Sequence, residues 1–341
     1  MSSIVRETLN TDPVYYDHLK KSAEITVYPR IHMFSLNLSL QNNGLPCGSL
    51  GVSIAENPIH ITAKKNTITH VLSSNYVGDS TFVNTLEKLR TYKQLTGGWS
   101  VTVQIPDTIR PHIGLGTTTQ ILGGAALCSA KASGVDLTNI DLFKMGFGRA
   151  SNLGLSLLYK PGFIFEYGYR VDFQNGLGIH PNISTYPELP SNRADSIKDC
   201  PWHLLYGVPK KLESLSGDIE ESFWENNLPE DPISAKITEN AVKNYIIPGL
   251  LANNFQQFIS GMSRATDHGS KLAEEHIQEP ATLKVLSALR KKLGFAAVSS
   301  LGPTVYAFQE RLNTKELSKL GTDEYDFFST PLNQLNRINN G

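Results

Sequence analysis

One ten-residue stretch constrains this chain more than any other: Pro111-His112-Ile113-Gly114-Leu115-Gly116-Thr117-Thr118-Thr119-Gln120. A β-branched run, Val101 to Ile105, precedes it and reads as a strand. A run of small residues, Ile121 to Ala132, follows it and reads as a buried helix. Gly114 and Gly116 can take backbone angles closed to other residues and let the chain approach a ligand closely. A helix starting near Thr117 would point N–H groups out of its first turn, where they and the helix dipole make an anion site. The hydroxyls of Thr117, Thr118 and Thr119 can add donors or hold a metal-bound water. Without a ligand, the same residues would be a threonine-capped helix after a glycine turn. No Gly-Lys-Ser/Thr closes the stretch, so it is not a Walker A loop.

An anion held here must be held locally. The 341 residues carry 31 basic and 32 acidic side chains, a net charge of −1, which removes the electrostatic case for a nucleic-acid binder. Cys47, Cys128 and Cys200 are scattered, without metal-binding spacing, and point to a reducing compartment. Met1 to Asp17 carries Arg6, Glu7, Asp12 and Asp17 and no apolar core, so a signal peptide is not expected. No run of about 18 apolar residues occurs, so no membrane span is expected and a cytoplasmic protein is.

Residues 1–22 read as an irregular lead. Glu24 to Met33 has a strand-like centre closed by Pro29, and beyond it Arg30 and His32 share a face on a strand, as a phosphate or carboxylate clamp or as a plain strand end. Gly48 to Ile54 reads as a Gly-rich strand edge and Ile59 to Thr62 as a short strand. Asp79 to Leu95 reads as an amphipathic helix with Phe82, Leu86, Leu89 and Tyr92 on its core stripe. Asp136 to Gly146 reads as a helix capped near Asp136, Thr138 or Asn139. Gly146 to Leu155 reads as another Gly-rich loop, Phe163 to Tyr167 as a strand, Arg170 to Cys200 as a long polar loop and Trp202 to Val208 as a strand. Ser214 to Glu221 reads as an acidic helix start, with Asp218, Glu220 or Glu221 as alternative metal ligands. Ile233 to Tyr245, Pro248 to Arg264 and Ala281 to Leu293 read as helices. Phe295 to Val298 and Val305 to Phe308 read as strands joined by the turn Ser299-Ser300-Leu301-Gly302-Pro303-Thr304, and the tail beyond Asn313 as polar and peripheral. The pattern is α+β. A ligand with several phosphates needs several such small-residue turns and a few cations.

Five ordered segments between Ile25 and Phe308 resemble one family. Pro111 to Gln120 looks like the phosphate loop of the GHMP kinase superfamily, and its final Gln resembles the β-ribofuranosylaminobenzene 5′-phosphate synthases. Ser299 to Tyr306 resembles the C-terminal loop of that branch. Arg30-Ile31-His32-Met33, Gly148-Arg149 with Gly154, and Leu215 to Phe223 fall in the same order.

The resemblance implies a two-lobed GHMP-kinase-like α+β fold: a lead over 1–22, an N-terminal lobe with the phosphate loop over 23–200, and a C-terminal α+β lobe over 201–341. It implies an enzyme that joins C1 of phosphoribosyl pyrophosphate (PRPP) to a ring carbon of an aromatic or heteroaromatic carboxylic acid, releasing pyrophosphate and carbon dioxide. Arg30, His32 and Arg149 are the implied catalytic residues. His112, Gly114, Leu115, Gly116, Thr117, Thr118, Thr119, Gln120, Ser299, Ser300, Gly302 and Thr304 are the implied phosphate contacts. Mg²⁺ is the implied cofactor, held by Thr117, Thr118 or one of the acids Asp218, Glu220 and Glu221. A homodimer is common in the branch. Asn37 stands where many members have aspartate, Ala150-Ser151 where they have paired glycines, and Tyr167-Gly168-Tyr169 where they often show Gly-Gly-His. The acceptor site is therefore sought among Asn37, Ser49, Ser151 and Asn152, for a non-standard acid. The alternatives are an ATP-dependent small-molecule kinase, which the acid-free Gly148–Gly154 segment disfavours, and a non-catalytic phosphometabolite binder.

Overall fold

Pro29 divides the first β segment in two. In a computed structural model, which describes residues 22–36, 48–73, 79–110, 112–147, 153–159, 162–166, 194–197, 200–211, 222–223, 226–227, 230–312 and 322–332, strand β1 (Ser22–Val27) and strand β2 (Arg30–Leu36) flank the proline and enter different sheets. Proline has no N–H to give a ladder, so it sits naturally at such a crossing.

β1 joins β4 (Ile59–Asn66), β6 (Gly98–Gln104) and β5 (His70–Ser73) in the order β1-β4-β6-β5. β5 runs parallel to β6 and the other pairs are antiparallel. β2 joins β3 (Gly48–Ser53), β7 (Phe163–Glu166) and β8 (Ala194–Ile197) in the antiparallel order β2-β3-β7-β8. The register of β2 on β3 shifts between His32 and Phe34, a bulge beside the residues of interest. The third sheet is antiparallel, β10-β11-β9-β12, from β9 (His203–Pro209), β10 (Ala297–Val298), β11 (Val305–Gln309) and β12 (Tyr325–Pro331).

The helices are α1 (Asp79–Tyr92), α2 (Thr117–Ala132), α3 (Asn139–Lys144), α4 (Leu153–Tyr159), α5 (Pro232–Ala241), α6 (Ile247–Leu251), α7 (Phe255–Thr266), α8 (Gly269–His276) and α9 (Pro280–Leu293). α2 sits tightly on the first sheet because its residues are small. A Cβ on Gly124 would stand 2.7 Å from Ile61 and 3.0 Å from Val27. α7 ties the other two sheets together through aromatic rings. Phe258 packs at 5.0 Å from Trp202, 4.8 Å from Phe308 on β11 and 6.3 Å from Phe163 on β7. Among the described residues, no helix is long and apolar enough to cross a membrane.

Several expectations need correction. Gly48–Ile54 is not a sheet edge: β3 lies between β2 and β7, fully buried. The helix expected over Pro248–Arg264 is two helices. α5 runs through a π turn (Val242–Ile246) into α6, which lies across Pro248, and the break follows at Asn253, whose φ is +52°. Pro248 cannot donate to the carbonyl of Asn244, and the wide turn falls just ahead of it. Asn254 then caps α7 by accepting the Gln257 N–H at 3.1 Å. Leu153 to Leu155 is the first turn of α4, not loop. α3 starts at Asn139 and not Asp136, and its cap is Thr138, one of the three residues expected there, in a capping box with Asp141. Tyr92 leaves the core stripe at 37% exposure and donates its hydroxyl to Asp141 at 2.8 Å. The described part of the tail, residues 322–332, is not peripheral: Tyr325 is fully buried on β12 and donates to the Pro303 carbonyl at 2.9 Å.

Candidate active site

The site forms where three remote segments share backbone hydrogen bonds. The Arg30 N–H on β2 donates to the Leu115 carbonyl at 2.9 Å, and the Thr304 N–H donates to the Ile113 carbonyl at 3.1 Å. The Ser300 N–H donates to the His32 carbonyl at 3.3 Å. The loop before α2, strand β2 and the turn between β10 and β11 are thereby fixed against one another.

Two glycines make this approach feasible. A Cβ on Gly114 would stand 2.3 Å from the Ser299 carbonyl oxygen, and one on Gly302 would stand 2.1 Å from the Gly114 nitrogen. Neither neighbour is a side chain that can swing away. Gly114 and Gly116 hold φ of +90° and +59°, and His112 and Ser300 are forced to +59° and +54°. Non-glycine residues in that region mark strained, over-determined backbone.

Between these segments lies a cavity of about 280 Å³. Arg30 of β2, His112, Gly114, Gly116, Thr117, Thr118 and Thr119 of the loop and first turn of α2, and Ser300, Leu301 and Gly302 of the β10–β11 turn line it. Gly116 is the N-cap of α2 and gives no side-chain cap, and the first turn holds no acid. The opening amides of such a helix lack intrahelical acceptors and carry the positive end of its dipole. Backbone donors, hydroxyls and one guanidinium surround the space, a surface suited to phosphate.

The Arg30 side chain is shaped by two glycines. A Cβ on Gly116 would meet its Nε at 2.4 Å, and one on Gly154 would approach it at 3.5 Å. Gly154 also accepts a hydrogen bond from Gln120 Nε2 at 2.7 Å, which ties α2 to α4.

Several residues expected on the ligand lie behind the wall. His32, Gln120, Ser299 and Thr304 are buried and serve the frame. The Ser299 hydroxyl accepts the His32 N–H at 3.0 Å and donates to the Gly114 carbonyl at 2.6 Å. Leu115 is buried and contributes its carbonyl. Burial holds the His32 imidazole well below the usual histidine range, helped by the positive charges of Arg30 and Lys271, so it is neutral at pH 7. Ser49 is buried mid-strand on β3, paired with Ser35 and Glu166, and is not among the cleft residues. Sequence reasoning missed the supports beneath the turn, Lys271 and Gln278, which carry no motif. Asn37, Arg149, Ser151, Asn152, Asp218, Glu220 and Glu221 lie outside the described residues. Among the described residues no three His, Cys, Asp or Glu side chains converge as a metal site.

No protein-family model matches the chain. It is similar to β-ribofuranosylphenol 5′-phosphate synthase of Archaeoglobus fulgidus, with 23% identity over 282 residues covering 82% of this chain and 86% of that protein. The protein of the same name from Methanocaldococcus jannaschii is 22% identical over 321 residues, 88% of this chain and 93% of the relative. Among solved structures, phosphomevalonate kinase of Streptococcus pneumoniae superposes with a TM-score of 0.66 at 14% identity, over 92% of this chain and 100% of that one. The sequence likeness is thus to β-ribofuranosylphenol 5′-phosphate synthases, and the fold is that of phosphomevalonate kinase, in line with the resemblance carried by the five sequence segments.

Proposed function

We propose that this chain is a PRPP-dependent C-ribosyl synthase that acts on an aromatic or heteroaromatic carboxylic acid. The observation that carries this reading is the Gly114–Gly302 contact, which folds two backbone turns around one anion-sized space beside Arg30. The sequence likeness to two β-ribofuranosylphenol 5′-phosphate synthases supports the ribosyl chemistry.

The ring carbon bearing the carboxylate attacks C1 of the ribose. The C1–O bond breaks with its electron pair leaving on pyrophosphate. The bond to the carboxylate then breaks, carbon dioxide departs, and its electron pair restores the aromatic ring. Loss of carbon dioxide takes the place of proton loss, so no general base is needed at that carbon. The described wall carries no carboxylate, which suits this scheme. In this reading Mg²⁺ would enter with the diphosphate, and the Thr117 and Thr118 hydroxyls on the described wall would be oxygen ligands at hand.

The transition state has oxocarbenium character, as in glycoside cleavage. Rate therefore depends on stabilising departing pyrophosphate more than bound PRPP. In this scheme the α2 amides, Thr118, Thr119 and Arg30 bind the departing oxygens, and the Ser300–Gly302 turn closes the other side. The acid must be electron-rich, since its ring carbon is the nucleophile.

The test is one incubation with PRPP, Mg²⁺ and 4-hydroxybenzoate, 4-aminobenzoate or a heteroaromatic dicarboxylate. Equal release of pyrophosphate and carbon dioxide supports the reading. Consumption of ATP with a small alcohol, and none of PRPP, replaces it with the kinase. PRPP binding without turnover of any acid leaves the binder.

A further inference from the structure

Beneath the Ser299–Thr304 turn lies a buried polar strut. Lys271 and Glu274, three residues apart on one face of α8, are only 2% and 1% exposed. Their side chains form an ion pair. Lys271 Nζ also donates to the Val298 carbonyl at 3.1 Å. Gln278, buried just beyond the helix, donates through Nε2 to the Glu274 carbonyl at 2.8 Å and to the Leu301 carbonyl at 3.2 Å. Val298 and Leu301 bracket Ser299 and Ser300, and Leu301 lines the cleft. The strut therefore holds both sides of the two residues that reach Gly114 and His32.

Its composition is a poor way to stabilise a fold. Burying an ammonium and a carboxylate costs several kcal/mol, and a packed apolar pair of similar volume is often as stable or more so. What the ion pair supplies that an apolar pair lacks is a donor aimed at one backbone oxygen. The side chain reaches that oxygen only if α8 and the end of β10 keep a fixed separation.

We infer that Lys271, Glu274 and Gln278 are positioning residues that set the Ser299–Gly302 turn at the distance from Gly114 that admits a phosphate group. The inference rests on the reading of this cleft as the pyrophosphate site. None of the three touches the cleft, so their effect passes through the turn.

The test compares Lys271→Met/Glu274→Leu and, separately, Gln278→Leu with the full-length wild type. The double variant removes both buried charges together and so avoids an orphaned ion. The first readout needs no ligand: amide hydrogen exchange at Ser299, Ser300 and Gly302, whose N–H groups are held by Thr304, His32 and Ser299. Faster exchange there, at a melting temperature near that of wild type, is expected. The second readout is steady-state kinetics, where the KM for PRPP should rise about tenfold, as for one lost hydrogen bond to a charged partner, while the KM for the aromatic acid stays put. Wild-type exchange at the three amides in both variants overturns the inference, as does a rise in both KM values that tracks lost stability. If wild type neither binds nor consumes PRPP, the functional reading falls, and the exchange measurement alone decides whether the strut positions the turn.

Discussion

The Ser299 hydroxyl donates to the Gly114 carbonyl at 2.6 Å, across 185 residues of chain. The same oxygen accepts the His32 N–H at 3.0 Å, so one small side chain joins the phosphate loop, the β2 bulge and the β10–β11 turn. The two backbones meet closely here: the Ser299 carbonyl stands 2.3 Å from where a Cβ on Gly114 would lie. Ser299→Ala should therefore lose about 1–3 kcal/mol of stability, through a buried N–H and a buried carbonyl left without their partner. It should also weaken PRPP binding, although Ser299 does not line the cleft. Denaturant melts and calorimetry with PRPP check both effects, and unchanged affinity would confine Ser299 to folding.

The two glycines on either side of the cleft should fail differently. A Cβ on Gly302 strikes the backbone of Gly114, which cannot move without opening the contact. Gly302→Ala should cost about 1–3 kcal/mol by overpacking and disorder the turn. A Cβ on Gly116 strikes the Arg30 side chain, which can swing away, and the left-handed φ adds about 1–2 kcal/mol. Gly116→Ala should thus fold and displace Arg30. Its signature is a fall in PRPP affinity of about tenfold to a hundredfold, the worth of a hydrogen bond to a charged group. Equal affinities in the folded Gly116 variant and wild type would remove Arg30 from the ligand.

Arg30 itself gives a sharper test. Lys at this position keeps the charge and loses the planar fork that grips two phosphate oxygens at once. Arg30→Lys should recover little of the affinity lost in Arg30→Gln. Arg30→Gln should also raise the His32 titration, since the Arg30 charge helps to hold that imidazole neutral. Histidine NMR on the variant reads that shift, and a fall would contradict the charge argument.

The parts of this fold that were legible in sequence are those made by local chemistry. The Gly-rich loop, the small-residue helix and the turn at Ser299 each carry their own signal, and their joint resemblance to one branch supplied the site. What escaped depends on distant partners. β12 pairs with β9 across more than a hundred residues, and its buried Tyr325 sits in a polar tail with no alternation to announce it. α8 spells Gly-Ser-Lys-Leu-Ala-Glu-Glu-His, a run that reads as solvent-facing, yet Lys271 and Glu274 are buried because the turn rests on them. The family resemblance places His32, Gln120 and Thr304 on the ligand, yet all three are buried. Here the backbone groups of His32 and Thr304 join the segments, and Gln120 spends its side-chain amide on the Gly154 carbonyl.

Glu230 offers a prediction about pH, and its sign can be worked out. It is buried beside the start of α8, where its carboxylate accepts the Ser270 N–H at 2.9 Å. Burial pushes its pKa up to about 7, opposed by the Ser270 hydrogen bond and reinforced by the charges of Asp231 and Glu274. A carboxyl raised by folding favours the native state while protonated. Its contribution is full below the ordinary glutamate value and is lost as pH climbs through about 7. Glu230→Gln keeps an oxygen for the Ser270 N–H and cannot ionise. Wild type should therefore lose stability, on the order of 3 kcal/mol, between about pH 4.5 and pH 7, relative to the variant. Asp141 does not confound this window. Burial would raise it, but hydrogen bonds from Thr138, Tyr92 and Lys93 hold it down to about 2, so its contribution fades only in stronger acid. Urea melts of both proteins at pH 5 and pH 8 measure the difference. Parallel stability curves would show that Glu230 is ionised throughout, and that the start of α8 is better solvated than its burial implies.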